Sequence, residues 1–233
     1  MIRALLIVLF LPAYTLAASL LGYGVARLVG SPALLYRLGR LGIRVALFLA
    51  GTRIVVEGRD RLADHRNTVI VANHVSHLDA PVLLQALGID FQAVAKKEVF
   101  YVPFFNNVLR FAGFIEVDRA DRAQATRAIA RAVDALKRGG CFLIFPEGTR
   151  SRTGELGPFK KGGFVVAMDA GSRIVPVAVQ GTRELMPRGG FRIRPGTVRV
   201  RVLDPVRADG YSYDDRDVLI AEVRGRIAAA LAG

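Results

Sequence analysis

Tryptophan is absent from this 233-residue chain and cysteine occurs once. The lone Cys141 closes no internal disulfide, and with only three histidines (His65, His74 and His77) it builds no Cys/His zinc site, so no structural metal is expected. Acidic residues are the scarcer charges, 20 against 33 Lys+Arg, which leaves a net charge of +13. Lysine is scarce too: five of the 33 cations, so an arginine-rich composition accounts for part of the excess. Glycine and proline recur with no fixed period and no internal repeat is present, which removes collagen, solenoid and low-complexity architectures. What remains is 52% hydrophobic residues, too many for a disordered chain and enough for one compact domain with a short appendage. The positive charge calls for an anionic partner: nucleic acid, a lipid surface or a phosphorylated substrate. Its distribution has to decide among them.

Residues 4–26 carry no charge, and 23 residues at about 1.5 Å each reach roughly 35 Å, enough to cross a hydrocarbon layer. Pro12, Thr15, Ser19, Gly22 and Gly24 interrupt this apolar run. A cleaved export signal is the alternative, with Arg3 as its basic start and Thr15-Leu16-Ala17 as its cleavage site. Against cleavage, Gly30-Ser31-Pro32 reads as a turn, with Ser31 as N-cap and Pro32 opening a second helix that runs to about Ala50. Arg37, Arg40 and Arg44 fall on one face of it, with Leu34, Leu38, Leu41, Val45 and Phe48 as apolar cover. Such a helix suits an anionic interface, its arginine stems snorkelling, unless it packs on the globular part with those arginines in water. Residues 1–50 are expected to form membrane-anchoring helices, and 51–233 the globular domain.

In the body, apolar runs at 53–57, 68–72, 91–95, 114–117, 141–145, 174–179 and 198–203 read as strands. Helical stretches fall at 81–87, 102–111, 121–138, 162–170 and 217–231. The clearest, 121–138, buries Ala125, Ile129, Ala132, Val133 and Leu136 and stops at Gly139-Gly140. Strands alternating with helices predict an α/β fold, a mostly parallel or mixed sheet flanked by helices.

The residues able to do chemistry follow these strands. Asn73-His74-Val75-Ser76-His77-Leu78-Asp79 leaves the 68–72 strand just ahead of a helix. Histidine takes a proton near neutral pH, and a carboxylate on its second ring nitrogen fixes the tautomer, a role Asp79 fills if the loop folds back. As an N-cap, Asp79 would do no more than start a helix. After the 141–145 strand, Pro146-Glu147-Gly148-Thr149-Arg150-Ser151 offers a glycine that lets backbone approach a ligand and a guanidinium suited to phosphate. Lys96-Lys97 and Arg119 follow two further strands, so cations gather on one sheet edge and a phosphate site becomes the better reading.

Together these segments resemble the membrane-associated glycerolipid acyltransferases typified by 1-acyl-sn-glycerol-3-phosphate acyltransferase. His74-x4-Asp79 resembles the family's first motif, Gly113-Phe114-Ile115-Glu116-Val117-Asp118-Arg119 its second, Phe145-Pro146-Glu147-Gly148-Thr149-Arg150-Ser151 its third, and Val175-Pro176-Val177-Ala178 with Gly181 its fourth. The resemblance implies a glycerol-3-phosphate acyltransferase-like fold and transfer of a fatty acyl group from acyl-CoA or acyl-carrier protein to the sn-2 hydroxyl of lysophosphatidic acid, giving phosphatidic acid for phospholipid synthesis. It implies His74 as base, Asp79 as its orienting group, and Arg119, Arg150 and one of Lys96 and Lys97 on the phosphate. Glu147 and Gly148 would position the glycerol, Asn73 would donate to the oxyanion, and Pro176 would floor the acyl site. No cofactor and no metal is implied. The expected partners are the substrates and an anionic membrane, at the cytoplasmic face of the cell membrane. Another acceptor, such as a lyso-ornithine lipid, is the nearest alternative. A non-catalytic membrane or nucleic-acid binder is the rival class, but no nucleic-acid signature and no basic–aromatic interleaving supports it. A Cys141 thioesterase is disfavoured because that cysteine opens an apolar strand with no histidine close by.

Overall fold

The computed structural model describes residues 2–118, 121–187, 189 and 193–233. Helices α1 (Ile2–Val29) and α2 (Ala33–Ala50) precede the body, followed by α3 (Asp79–Leu87), α4 (Phe105–Phe111), α5 (Arg122–Lys137), α6 (Gly162–Asp169), α7 (Thr182–Leu185) and α8 (Arg216–Ala232). The strands are β1 (Thr52–Glu57), β2 (Thr68–Ala72), β3 (Gln92–Lys96), β4 (Ile115–Val117), β5 (Cys141–Ile144), β6 (Arg173–Gln180), β7 (Gly196–Val202) and β8 (Val206–Arg207).

They form one mixed sheet in the order β1-β7-β6-β2-β5-β3-β4, with β8 pairing off this path on β6. From β6 through β4 all pairs are parallel, while β7 and β8 run antiparallel to β6. Because β2 is buried at all five positions, its sequence is an uninterrupted apolar run, as a strand covered on both faces requires. Alternation then sorts the side chains. Ile70, Ala72, Val175 and Val177 meet Leu83 and Leu87 of α3 and Leu47 of α2 in one core. Val69, Val71, Ile174 and Ala178 meet Leu136 of α5, Phe164 of α6 and Leu219, Val223 and Ile227 of α8 in the other. The carboxyl ends of β6, β2, β5, β3 and β4 thus share one edge.

At the N-terminus α1 and α2 form a tight hairpin. Gly22 and Gly42 mark its contact line: a Cβ at Gly42 would overlap the Tyr14 ring, and one at Gly22 would stand 2.6 Å from Leu38. Tyr14 also donates to Leu38 O at 2.8 Å. Tyr36 ties α2 to the body by donating to Phe91 O and Ala112 O, and Gly51 closes the helix in a left-handed C-cap. Ser31 Oγ accepts from Ala33 N at 3.3 Å, although the helix begins one residue later than its expected start at Pro32. Arg40, expected on a lipid-facing stripe, instead pairs with Asp90 of the body. Arg37 and Arg44 remain exposed beside Leu41 and Phe48, and the face that packs is Leu35, Tyr36, Ala46 and Leu47. Within α1, Leu5–Val29 has a mean hydropathy of 2.1 and is long enough to cross a membrane.

Candidate active site

The first motif opens with a side chain that imitates backbone. Asn73, the residue after β2, donates from Nδ2 to Val179 O at 2.9 Å and accepts from Val179 N at 2.8 Å, so it carries the β2–β6 ladder one step beyond the strand. It is buried, and its carbonyl oxygen and one amide hydrogen are bonded to Val179. Where an oxyanion donor was expected, the geometry shows a tie between β2 and β6.

His74 follows at the sheet edge. Its Nδ1 lies 2.8 Å from Asp79 Oδ2, and the same oxygen accepts from Val75 N at 2.7 Å and Ser76 N at 2.8 Å. Asp79 is completely buried. It is a residue of α3, and its carboxylate turns back to the loop, so it serves as the histidine's partner and not as the helix N-cap. Its other oxygen accepts from Thr182 Oγ1 at 2.5 Å. Four donors around one carboxylate hold it in one orientation. The imidazole stacks on Phe145, centroids 4.1 Å apart and planes 16° from parallel, so both position and tilt are fixed. With Nδ1–H assigned to Asp79 by that contact, Nε2 is left as the acceptor, on a side chain 21% exposed.

Thr182 is the site residue that sequence reasoning missed. It arrives through Gly181, whose φ is +95° and where a Cβ would overlap Thr197 O, so only glycine turns β6 into α7 at this point. The fourth motif thus reaches the first through the hydroxyl beyond its glycine.

The third motif lies beside His74 at the end of β5. Ser151 N donates to His74 O at 2.8 Å, and His74 N donates to Glu147 Oε1 at 2.7 Å. Glu147 Oε2 accepts from Gly157 N at 3.1 Å. This carboxylate is buried with a backbone N–H on each oxygen, so the structure makes Glu147 a tie between loops, where contact with glycerol was expected. Gly148 adopts φ +72° in the turn, and a Cβ there would stand 3.0 Å from Lys160 Nζ. Lys160 is thus a further cation at this turn, signalled in sequence only by the doublet Lys160-Lys161 ahead of two glycines. Arg150 lies close enough to His77 that its charge, after desolvation, is a cause of that imidazole's lowered pKa.

Along the same edge the lysine doublet divides. Lys97 pairs with Asp118 at 2.6 Å, which holds its ammonium pKa above the usual value, whereas Lys96 ends β3 exposed. Arg119 lies outside the described residues. Pro176 is buried in mid-strand on β6, on the sheet face of Ile174 and Ala178 and away from the α3 face. Burial pushes the Cys141 thiol up to about 12, so it is no nucleophile at neutral pH.

A carboxylate-held imidazole at the carboxyl edge of a parallel sheet, with no partner at its second nitrogen among the described residues, is an arrangement suited to the class of enzymes that activate a hydroxyl or water by general base catalysis. Comparison with known proteins narrows that class. The sequence profile of the Acyltransferase family matches residues 53–180, and the chain belongs to that family. Over 181 residues it is 35% identical to the chloroplast 1-acyl-sn-glycerol-3-phosphate acyltransferase of Arabidopsis thaliana, covering 77% of this chain and 49% of that one. The enzyme of the same name from Borreliella burgdorferi is 34% identical over 143 residues, 61% of this chain and 57% of the other. The matches cover 46–61% of the length of relatives such as these. A crystal structure of the 1-acyl-sn-glycerophosphate acyltransferase from Thermotoga maritima superposes with a TM-score of 0.85 at 27% identity, covering 99% of this chain and 94% of that one.

Proposed function

We propose that this acyltransferase acylates the sn-2 hydroxyl of lysophosphatidic acid, yielding phosphatidic acid. The observation that carries the reading is the His74–Asp79 pair with Nε2 open, on the sheet edge that also bears Arg150 and Lys96. His74 Nε2 takes the acceptor's hydroxyl proton as the oxygen adds to the thioester carbonyl of acyl-CoA or acyl-carrier protein. Collapse of the tetrahedral adduct breaks the C–S bond, and the imidazolium returns its proton to the departing thiolate. Asp79 supplies the charge that makes the imidazolium affordable, and no acyl-enzyme forms. Arg150, Lys96 and Arg119 hold the phosphate, and Gly148 lets the acceptor approach the backbone of the turn. Lys97 serves Asp118 instead.

Residues 1–50 anchor the catalytic domain of residues 51–233 to the cytoplasmic face of an anionic membrane, which keeps donor and lysolipid on the same side. The α1–α2 packing through Gly22 and Gly42 supports retention of α1 in the working enzyme. The test is a product assay with lysophosphatidic acid and a mixed pool of acyl-CoA and acyl-carrier-protein donors. Phosphatidic acid is expected from the wild type and not from His74→Ala. Acylation of a lyso-ornithine lipid in preference would overturn the acceptor assignment and leave the reaction standing.

A further inference from the structure

The chain between β3 and α4 is turned inside out. Phe100 is 4% exposed and pins the short 3-10 helix Lys97–Tyr101 to the body. The residues around it point outward: Val99 is 42% exposed, Tyr101 65%, Val102 47% and Phe104 50%. Phe104 also holds φ +64°, a conformation rarely taken by an aromatic residue and maintained only where surrounding structure imposes it. The segment is thus shaped to display apolar side chains.

Its neighbours say to what. Phe111, at the far end of α4, meets Tyr23 of α1 edge to face at 6.0 Å and lies under Arg27, whose guanidinium carbon is 5.8 Å from its centroid. The apolar surface of α1 therefore runs onto α4, and Phe104 lies one residue before that helix, roughly 10 Å along from Phe111 at 1.5 Å per residue. The composition is that of an interfacial wedge: a tyrosine and a phenylalanine for the headgroup boundary, a proline to stiffen the tip, and an exposed Lys96 shortly before the segment.

We propose that the loop 99–104 inserts into the membrane interface as a second contact, separate from the α1–α2 hairpin. The occupant is a lipid bilayer. Since Lys96 lies three residues before this loop, insertion places the β3 end of the site near headgroup level, where a lysolipid can present its phosphate while its acyl chain stays among the lipids. The inference rests on the membrane reading of α1, and the experiment separates the two.

Because the chain has no tryptophan, single substitutions make clean fluorescence reporters. Full-length protein is reconstituted in phosphatidylcholine/phosphatidylglycerol vesicles with or without bromine on the acyl chains. Leu9→Trp, on the exposed surface of α1, reports the anchor. Phe104→Trp and Tyr101→Trp report the loop, and Tyr213→Trp, just before α8 on the opposite side of the sheet, is the control. Emission at positions 9, 101 and 104 is expected to shift to the blue and fall about twofold on bromination, with position 213 unchanged. Quenching at 9 with none at 101 and 104 overturns the loop contact and leaves the anchor intact. No quenching at 9 overturns both. Val102→Asp with Phe104→Asp should also raise the apparent KM for vesicle-borne lysolipid about tenfold, with that for a short-chain soluble acceptor unchanged. Equal KM values for wild type and variant on vesicles would overturn the proposal.

Discussion

Replacing Asp79 by asparagine isolates the charge of the carboxylate from its shape. Three donors converge on Oδ2, the His74 ring and the amides of Val75 and Ser76, whereas Oδ1 accepts, among the described residues, from the Thr182 hydroxyl. An asparagine oxygen can keep the first three contacts if its NH2 turns toward Thr182, whose hydroxyl then accepts. The loop and the Nδ1–H tautomer therefore survive, and what disappears is the negative charge opposite the imidazolium. At about 4 Å between charge centres and an effective dielectric near 20, that attraction is roughly 4 kcal/mol. Asp79 is fully buried, so water does not dilute it. At about 1.4 kcal/mol per decade, turnover should fall about 10³-fold with KM for either substrate nearly unchanged. The assay is release of free thiol from acyl-CoA with lysophosphatidic acid as acceptor, alongside a thermal melt. A variant that melts like the wild type and turns over within about tenfold of it would refute the general-base reasoning.

Thr182→Val should lower kcat about tenfold and move the acid limb of the pH–rate profile, while Thr182→Ser restores both; loss of folding without any change in the profile of the residual enzyme would make Thr182 merely structural. Arg150→Ala should raise KM for the phosphorylated acceptor at least tenfold and that for the thioester donor far less, since one charge-assisted bond contributes about 1.5–3 kcal/mol. Cys141, with its pKa pushed up to about 12 by burial, should resist iodoacetamide at pH 8 until the protein unfolds, and Cys141→Ala should remain active. Above about pH 9 the unfolded chain sheds that thiol proton and the folded one keeps it, so stability should fall with rising pH, less steeply in Cys141→Ala when followed by denaturant titration. Gly42→Leu should push Tyr14 of α1 away from α2 and lower the melting temperature, whereas Gly39→Ala, where a Cβ meets nothing, should not.

Much of this was legible in the chain because it is locally encoded. Continuous apolar runs announced β2, β5 and β6, and the apolar stripe at helical spacing announced the buried face of α5. The His74–Asp79 contact spans only five residues. Other features depend on which strands become neighbours. Thr182 reaches Asp79 because β6 pairs with β2, a long-range fact that no local pattern carries. Glu147 was recognised by type, but a carboxylate looks like a ligand until its burial and its two backbone donors are known. The expected helix at 102–111 loses its first turn because Val102 precedes a proline and is held extended, with Phe104 then left-handed. Helix α7, with four residues, and β8, with two, are too short to leave a periodic signal.

Glu147 has a consequence for motion. It joins the His74 amide to the segment reaching Gly157, and Ser151 returns a bond to the His74 carbonyl, so base and cation-bearing turn are cross-stitched through the main chain. Neither can open alone. Amide deuterium uptake at His74, Ser151 and Gly157 should therefore proceed as one cooperative opening. An anion that settles on the turn would quieten the backbone of the base from behind, without touching the imidazole, so acceptor binding and base alignment become a single thermodynamic event.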